Sequence, residues 1–347
     1  MNKIELIKLS ENNRWDEIVT SFNNYSPFYL SAYCRAFKHN GDGEPILLYY
    51  NYNNTRGINV IIRRDISDDK NFNSILEREK YYDLITPYGY GGFIIEGNDY
   101  KEILNEYNKF CIENGYICEF VRFDLFSDYH ALYDGQVETR THNVIRNLEI
   151  PLEDMLMDFE HKVRKNVKKA NSYGLQIKVD NCNENLEDFL NIYYSTMDRN
   201  NANSGYYFDK EFFSIINEMK DNKIYFYVLY NGKVISTELV LYDNNNCYSY
   251  LGGTLNEYFN MRPNDFLKYE IIKWAINKNL KNFILGGGYG SDDGIFQYKK
   301  SFAPNGICDF YIGRKIFNKE IYDKLVNIRI KSKDFEEKSN FFPLYRS

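Results

Sequence analysis

The sequence predicts an α+β protein of two domains, each a mixed sheet flanked by helices. Three observations point there. The chain has 347 residues, enough for two separate cores. Apolar runs that read as strands alternate with amphipathic helical stretches along its length. Residues 106–125 (EYNKFCIENGYICEFVRFDL) and 270–288 (EIIKWAINKNLKNFILGGG) also repeat one plan: a helix, an Asn-containing stop and a strand, each preceded by a pair of strands. The division is expected near Glu149–Pro151, giving domains 1–150 and 151–347.

In order, residues 3–9 alternate like an edge strand, and a helix over 11–22 follows the Ser10 cap. Ser26-Pro27 turns the chain into a short helix carrying Tyr33, Arg35, Phe37 and Lys38. Strands at 45–52 and 57–63 flank Asn53-Asn54-Thr55, a hairpin loop. A Gly-rich stretch, Thr86-Pro87-Tyr88-Gly89-Tyr90-Gly91-Gly92, enters a strand at 93–96. The helix 100–114 stops at Gly115 and feeds a strand at 116–125, with another at 143–150. Pro151 opens a long helix, 151–173, whose stripe Met155, Phe159, Val163, Val167 and Ala170 ends at Gly174.

A strand at 175–179 and helices at 186–201 and 209–220 come next. Three strands follow, 223–230, 233–242 and 246–253, the first two joined by Asn231-Gly232, a strong hairpin signal. A helix over 263–279 puts Leu267, Ile271, Trp274 and Ala275 on one face. A strand at 282–285 then meets the loop of 285–306 (LGGGYGSDDGIFQYKKSFAPNG), followed by a strand at 307–312 and a helix at 319–330. Residues after Lys331 are charged and are expected at the periphery.

Composition narrows the class. The net charge of −6 argues against wholesale nonspecific nucleic-acid binding while leaving room for a local basic patch. The first residues carry no apolar signal core, and no run reaches the roughly 18 apolar residues that span a bilayer. Cysteines 34, 111, 118, 182, 247 and 308 are scattered without a CxxC pair, as in a reduced cytoplasmic protein.

Several familiar chemistries do not fit the loop at 285–306. It lacks the third glycine of GxGxxG, has no GK[ST], and Gly290-Ser291-Asp292 is not a GxSxG elbow. The four histidines (39, 130, 142 and 161) never stand at HExxH spacing, so no metal site is expected. Asp292-Asp293 reads as a pair of turn carboxylates. The loop reads as a close-packed strand exit at Gly286–Gly288 that presents Tyr298 and Lys299.

These pieces, in their order, are similar to the FemAB/FemX-like branch of the GNAT acyltransferase superfamily. The resemblance covers roughly residues 161–302. It comprises Arg164-Lys165-Asn166-Val167-Lys168-Lys169-Ala170, Tyr193…Met197-Asp198-Arg199 with Tyr206-Tyr207-Phe208, Tyr250-Leu251-Gly252-Gly253, Arg262-Pro263-Asn264, and Gly286-Gly287-Gly288…Phe296-Gln297-Tyr298-Lys299-Lys300. In the first half, residues 86–92 also resemble the family.

The resemblance implies two tandem GNAT-like domains, without the long coiled-coil insertion of some members. Lys299 would be the catalytic cation and Tyr298 its aromatic partner, standing where the family often has Phe. Arg35, Lys38, Tyr88, Tyr90, Tyr206 and Tyr207 would serve the acceptor, with Arg35 and Lys38 toward its phosphates. Arg164, Lys165, Lys168, Arg262 and Asn264 would serve the donor or its phosphates. Five basic residues between Lys162 and Lys169 are equally a solvated helix face, and cations near a helix C-terminus suit its dipole. Asp265 and Glu238 are candidate bases.

The donor is left open between aminoacyl-tRNA and acyl-CoA, and no tightly bound cofactor is expected. The expected acceptor is an amine of a peptidoglycan precursor, another cell-envelope precursor or a surface glycan, with tRNA a possible partner and the state monomer or dimer. The segment Asn260-Met261-Arg262-Pro263-Asn264-Asp265 has no glycine where CoA-binding loops have them, which speaks against acetyl-CoA. The alternatives are an acyl-CoA N-acyltransferase acting on an amino sugar and a non-catalytic GNAT-like binding protein.

Overall fold

A computed structural model describes residues 3–182, 184–288, 290, 293–332, 335 and 341–347. The chain divides into two compact units, Met1–Arg140 with Phe310–Ser347, and Thr141–Asp309. The division lies ten residues before the one expected at residue 150, and the described residues from Phe310 onward group with the first unit rather than the second.

In the first unit the strands are β1 (Ile4–Lys8), β2 (Glu44–Tyr52), β3 (Thr55–Asp65), β4 (Tyr82–Ile85), β5 (Ile94–Glu96) and β6 (Tyr116–Arg122). The long β7 (Gln136–Asn147) leaves this unit after Arg140. Strand order is β1-β2-β3-β4-β6, antiparallel except for the parallel β4–β6 pair, and β5 adds to β3. The helices are α1 (Asn12–Thr20), α2 (Ser31–His39), α3 (Tyr100–Glu113) and α4 (Tyr129–Leu132). α3 buries Ile103, Tyr107, Phe110 and Cys111, the 3.6-residue stripe that made it legible, in a core with Leu48, Tyr50, Leu84 and Phe123.

The second unit holds α5 (Leu152–Asp158), α6 (His161–Ser172), β8 (Gln176–Asp180), α7 (Leu186–Arg199), α8 (Lys210–Ile216), β9 (Lys223–Tyr230), β10 (Lys233–Tyr242), β11 (Asn246–Thr254), α9 (Pro263–Asn277), β12 (Asn282–Gly286) and α10 (Gly294–Lys300). Its strand order is β7-β12-β11-β10-β9-β8, again antiparallel except for one parallel pair, β11–β12. Alternation along β9 covers both faces. Ile224, Phe226 and Val228 join α6 and α9 in one core, while Tyr225 meets Phe189 of α7 on the other side.

The single helix expected over 151–173 is two helices. Phe159 and Glu160 are extended (ψ 147 and 146) and break the chain between α5 and α6. The apolar stripe survives the break because Met155, Phe159, Val163 and Val167 all enter the same core. The chain re-enters the first unit within β13 (Ile307–Ile316), which pairs antiparallel with β6, and α11 (Lys319–Ile330) follows. Tyr345 and Arg346 lie far from the expected periphery. Tyr345 is fully buried, its hydroxyl donates to Asp83 Oδ2 at 2.7 Å, and Arg346 Nε reaches the same oxygen at 2.7 Å.

Candidate active site

The site begins where two parallel strands part. β11 pairs with β12 only from Asn246 to Tyr248, then runs on to Thr254 without β12 beside it. A bulge at this point sets Leu239 opposite Leu251 and Val240 opposite Ser249, leaving Tyr250 as the extra residue. The opening is a cleft of about 710 Å³ within the second unit, lined from α6, α7, β10, β11, α9 and α10. Glycines at 252 and 253 let neighbours close in on β11: a Cβ at Gly253 would meet Thr196 Oγ1 of α7 at 2.1 Å.

Lys299 and Tyr298 both line this cleft. They stand on α10, whose N-terminus is capped by Asp293, accepting from Phe296 N at 2.8 Å and Gly290 N at 2.7 Å. The triple glycine sets the lysine. Lys299 Nζ donates to Gly287 O at 2.6 Å, and Gly286, at φ +81, has its Cβ position only 3.3 Å from that nitrogen. A Cβ at Gly288 would fall 2.3 Å from the Asp293 carboxylate. Asp292, the other half of the expected carboxylate pair, lies outside the described residues.

Burial holds the Lys299 amine down to about 8, with Lys268 pushing the same way and Glu238 and Asp293 opposing. Among the described residues no carboxylate comes within ion-pair distance of it. The Tyr298 hydroxyl is buried without a hydrogen-bond partner, and desolvation raises its pKa well above the ordinary value. Its ring packs edge-on to Phe302 at 5.3 Å.

The floor is an ion pair. Lys268 Nζ lies 2.5 Å from Glu238 Oε1 and 2.7 Å from Ser249 Oγ, with side chains only 8% and 5% exposed. At the start of α9, Asp265 is buried and accepts from Asn166 Nδ2 at 3.1 Å, and burial raises its pKa. Both carboxylates singled out as candidate bases thus line the cleft. Arg262, in the left-handed region at φ 63, and Asn264 line it too, as do Lys162 and Arg199. Arg199 is anchored to Thr254 O at 3.1 Å and lies over the Phe259 ring at 5.0 Å.

The remaining expected residues sit elsewhere. Arg164 closes the C-terminal end of α5, donating to Met157 O at 2.9 Å and also to Leu156 O and Phe159 O. Lys165 and Lys168 are exposed on α6 and do not line the cleft. Tyr206 accepts from the Tyr193 hydroxyl through its carbonyl, and Tyr207 OH donates to Asp198 at 2.9 Å, so both brace α7 outside the cleft lining.

Arg35, Lys38, Tyr88 and Tyr90 belong to the first unit. Lys38 pairs with Glu44 at 2.5 Å, Tyr33 OH donates to Tyr88 O at 2.7 Å, and Tyr90 packs edge-on to Phe28. Beside them is a cation that sequence reasoning missed. Burial lowers the pKa of Arg122, with Tyr88 the largest opposing influence, and its guanidinium donates to Thr86 O at 3.4 Å and lies over the Phe120 ring at 5.1 Å. Lys268 was missed as well, although it left a signal. It stands on the row shared with Ile271, Ile272 and Ala275, a lysine on an apolar helix face.

Comparison with known proteins gives a domain match and several fold matches. Residues 157–300 match the family model described as an acetyltransferase (GNAT) domain. No curated protein matches the sequence. Among solved structures, the crystal structure of FemX superposes with a TM-score of 0.69 at 13% identity, covering 92% of this chain and 99% of that one. The C-terminal domain of a putative lysylphosphatidylglycerol synthetase from Agrobacterium fabrum gives 0.57 at 12% identity, over 88% and 92%. A conserved protein of unknown function from Bacteroides thetaiotaomicron gives 0.58 at 11%, over 90% and 99%.

Residues 157–300 thus match a GNAT-type acyltransferase domain. The chain as a whole has the fold of FemX.

Proposed function

We propose that the protein transfers an acyl or aminoacyl group from a donor held in the second unit's cleft to an amine of a peptidoglycan precursor or surface glycan. The observation that carries this reading is Lys299: a part-buried amine aimed by Gly287 O at a cleft large enough for a donor, without a carboxylate partner among the described residues. When an amine attacks an ester or thioester carbonyl, negative charge gathers on the oxygen. A preorganised cation there lowers the barrier by about 3–4 kcal/mol. The Tyr298 hydroxyl, buried and unbonded, is a second donor available to that oxygen.

The amine must lose a proton as the new bond forms, and Asp265, with its raised pKa, is the better placed acceptor. Glu238 is already committed to Lys268. Arg262, Asn264 and Arg199 would hold the donor's anionic portion at the mouth of the cleft. Arg35, Tyr88 and Tyr90, with Arg122, would serve the acceptor. Lys165 and Lys168 are left for long-range attraction of a polyanionic donor. A cytoplasmic location fits such donors.

A second reading, acyl-CoA as donor and an amino sugar as acceptor, is favoured by the match to an acetyltransferase domain. Pro263 and the left-handed Arg262 at the head of α9 weigh against it, because a proline gives up a backbone donor where a pyrophosphate would need one. The inert-binding alternative fits poorly with an open cleft and a Lys299 that has no carboxylate partner among the described residues. A screen of charged tRNAs against acyl-CoAs, with a cell-wall precursor mixture and mass detection, separates the donors. Lys299→Met should leave the fold intact, with a melting temperature no lower than the parent's, and slow turnover at least tenfold; unchanged turnover removes Lys299 from the mechanism.

A further inference from the structure

The first unit has a smaller cavity of about 150 Å³, between the start of β5, the start of α3 and the loop from β6 to α4. That volume is roughly that of five water molecules in the liquid, enough for the head group of a small molecule. At its wall is Asp124, only 9% exposed. Its carboxylate accepts from Phe126 N at 2.8 Å, and its own N–H donates to Gly91 O at 2.8 Å. Among the described residues, the groups that favour its charged form are the backbone N–H groups of Phe126 and Ser127. A buried carboxylate without a cation is costly unless something else neutralises it.

The rest of the lining points to what that is. Phe93 and Tyr129 are buried, and Tyr100 and Phe126 stand at 38% and 43% exposure around the mouth. Asp128 adds a second carboxylate, which makes no capping hydrogen bond to α4. No lysine, arginine or histidine is among the described lining residues. Aromatic faces and carboxylates in one concavity attract a cation and repel an anion. We infer that this cavity binds a small organic ammonium group, with Asp124 as its counter-ion and the rings of Phe126 and Tyr129 against its alkyl portion. The inference stands apart from the transferase reading, since none of the residues given to that reading lines this cavity.

Burial raises the Asp124 carboxyl to about 6, and Tyr29, Tyr100, Asp128 and Tyr129 are the titratable groups around it. The ammonium needs the ionised form, so affinity should fall as pH drops through about 6. The test is titration of the full chain with ethylammonium chloride at pH 7.5 and pH 5, followed by amide NMR shifts, with sodium acetate as the anionic control. Saturable shifts of the 124–132 amides with ethylammonium alone, weaker at pH 5, are expected. Asp124→Asn, which keeps one acceptor oxygen, should weaken binding at least tenfold. Phe126→Ala tests the same site without touching a buried polar group, and should weaken it several-fold. Equal response to acetate, or shifts in both variants matching the parent, overturns the proposal.

Discussion

The two units build the same strand–helix–strand crossover around a parallel pair, and one is closed where the other is open. In the second unit, β11 and β12 part after Tyr248 and Ile284, and the gap is the 710 Å³ cleft. In the first, β4 pairs with β6 as far as Ile85 and Phe120, and the chain then stays in contact. Thr86 Oγ1 accepts from Arg122 N at 3.0 Å, Gly91 N donates to Arg122 O at 2.7 Å, and Gly91 and Phe123 form a parallel bridge. The Gly-rich stretch at 86–92 is thus a seam in the first unit, while the Gly-rich exit at 286–288 is a support for Lys299. Gly91 serves the seam by fit, since a Cβ there would meet the Thr86 side chain at 2.8 Å. One crossover plan yields a site or a seal according to whether the strands separate.

The charges follow the same division. The second unit keeps Lys268 and Glu238 at the floor of its opening, while the first wraps Asp83, fully buried, in Arg64 at 2.6 Å, Arg346 and Tyr345. Lys268→Met should have the largest effect on stability, about 3 kcal/mol, because Glu238 then loses its ion-pair partner. Adding Glu238→Gln should restore most of it. Denaturant unfolding of both variants is the check. A single-variant loss below about 1 kcal/mol, on the scale of exposed pairs, would mean that cleft water hydrates Glu238, which sharpens the open-versus-closed contrast. A double variant no better than the single would break the pairing argument.

Arg346→Ala should cost less, about 2 kcal/mol, since Arg64 and Tyr345 still hold Asp83. Charged Asp83, with its pKa below the ordinary value, stabilises the fold above pH 4 and loses that contribution as pH falls through its lowered pKa. Burial opposes this lowering, and Arg64 and Arg346 supply it. The variant should therefore unfold at a higher pH on acid titration. An acid midpoint identical to the parent's would show that the C-terminal segment adds nothing to the seal.

This segment also shows where sequence reading stops. Strands that are short, near-continuous apolar runs bounded by turn residues, such as 45–52 and 223–230, and helices with one apolar stripe, such as α3, were legible because a local pattern mirrors a local burial. Tyr298 and Lys299 were legible from the resemblance and from the glycines ahead of them. β4 was not, because four residues containing a buried Asp show no strand period. Tyr345 and Arg346 were hidden for the same reason: what buries them is a carboxylate 262 residues away in sequence. The pair at the cleft floor depends on a strand and a helix meeting, which no spacing reports.

Asp293→Asn gives the smallest change and tests the open side most finely. Asp293 accepts two backbone N–H groups, and asparagine keeps one carbonyl oxygen, so the cost in stability should stay near 0.5–1 kcal/mol. Its charge also opposes the burial that holds Lys299 down to about 8. Taking that charge away should lower the lysine further. Below its pKa the amine is the cation that the developing oxyanion needs, so turnover should decline as pH rises through about 8, and the variant's decline should begin a fraction of a pH unit earlier. Native Lys299 releases its proton near 8 and the unfolded one near 10.5, so stability should rise across that interval while activity falls. Opposite slopes of stability and turnover over one pH range would distinguish a strained, working cation from a surface lysine. A turnover profile flat through pH 9, or rising, would leave the second unit with an opening but without the electrostatics that make it different from the first.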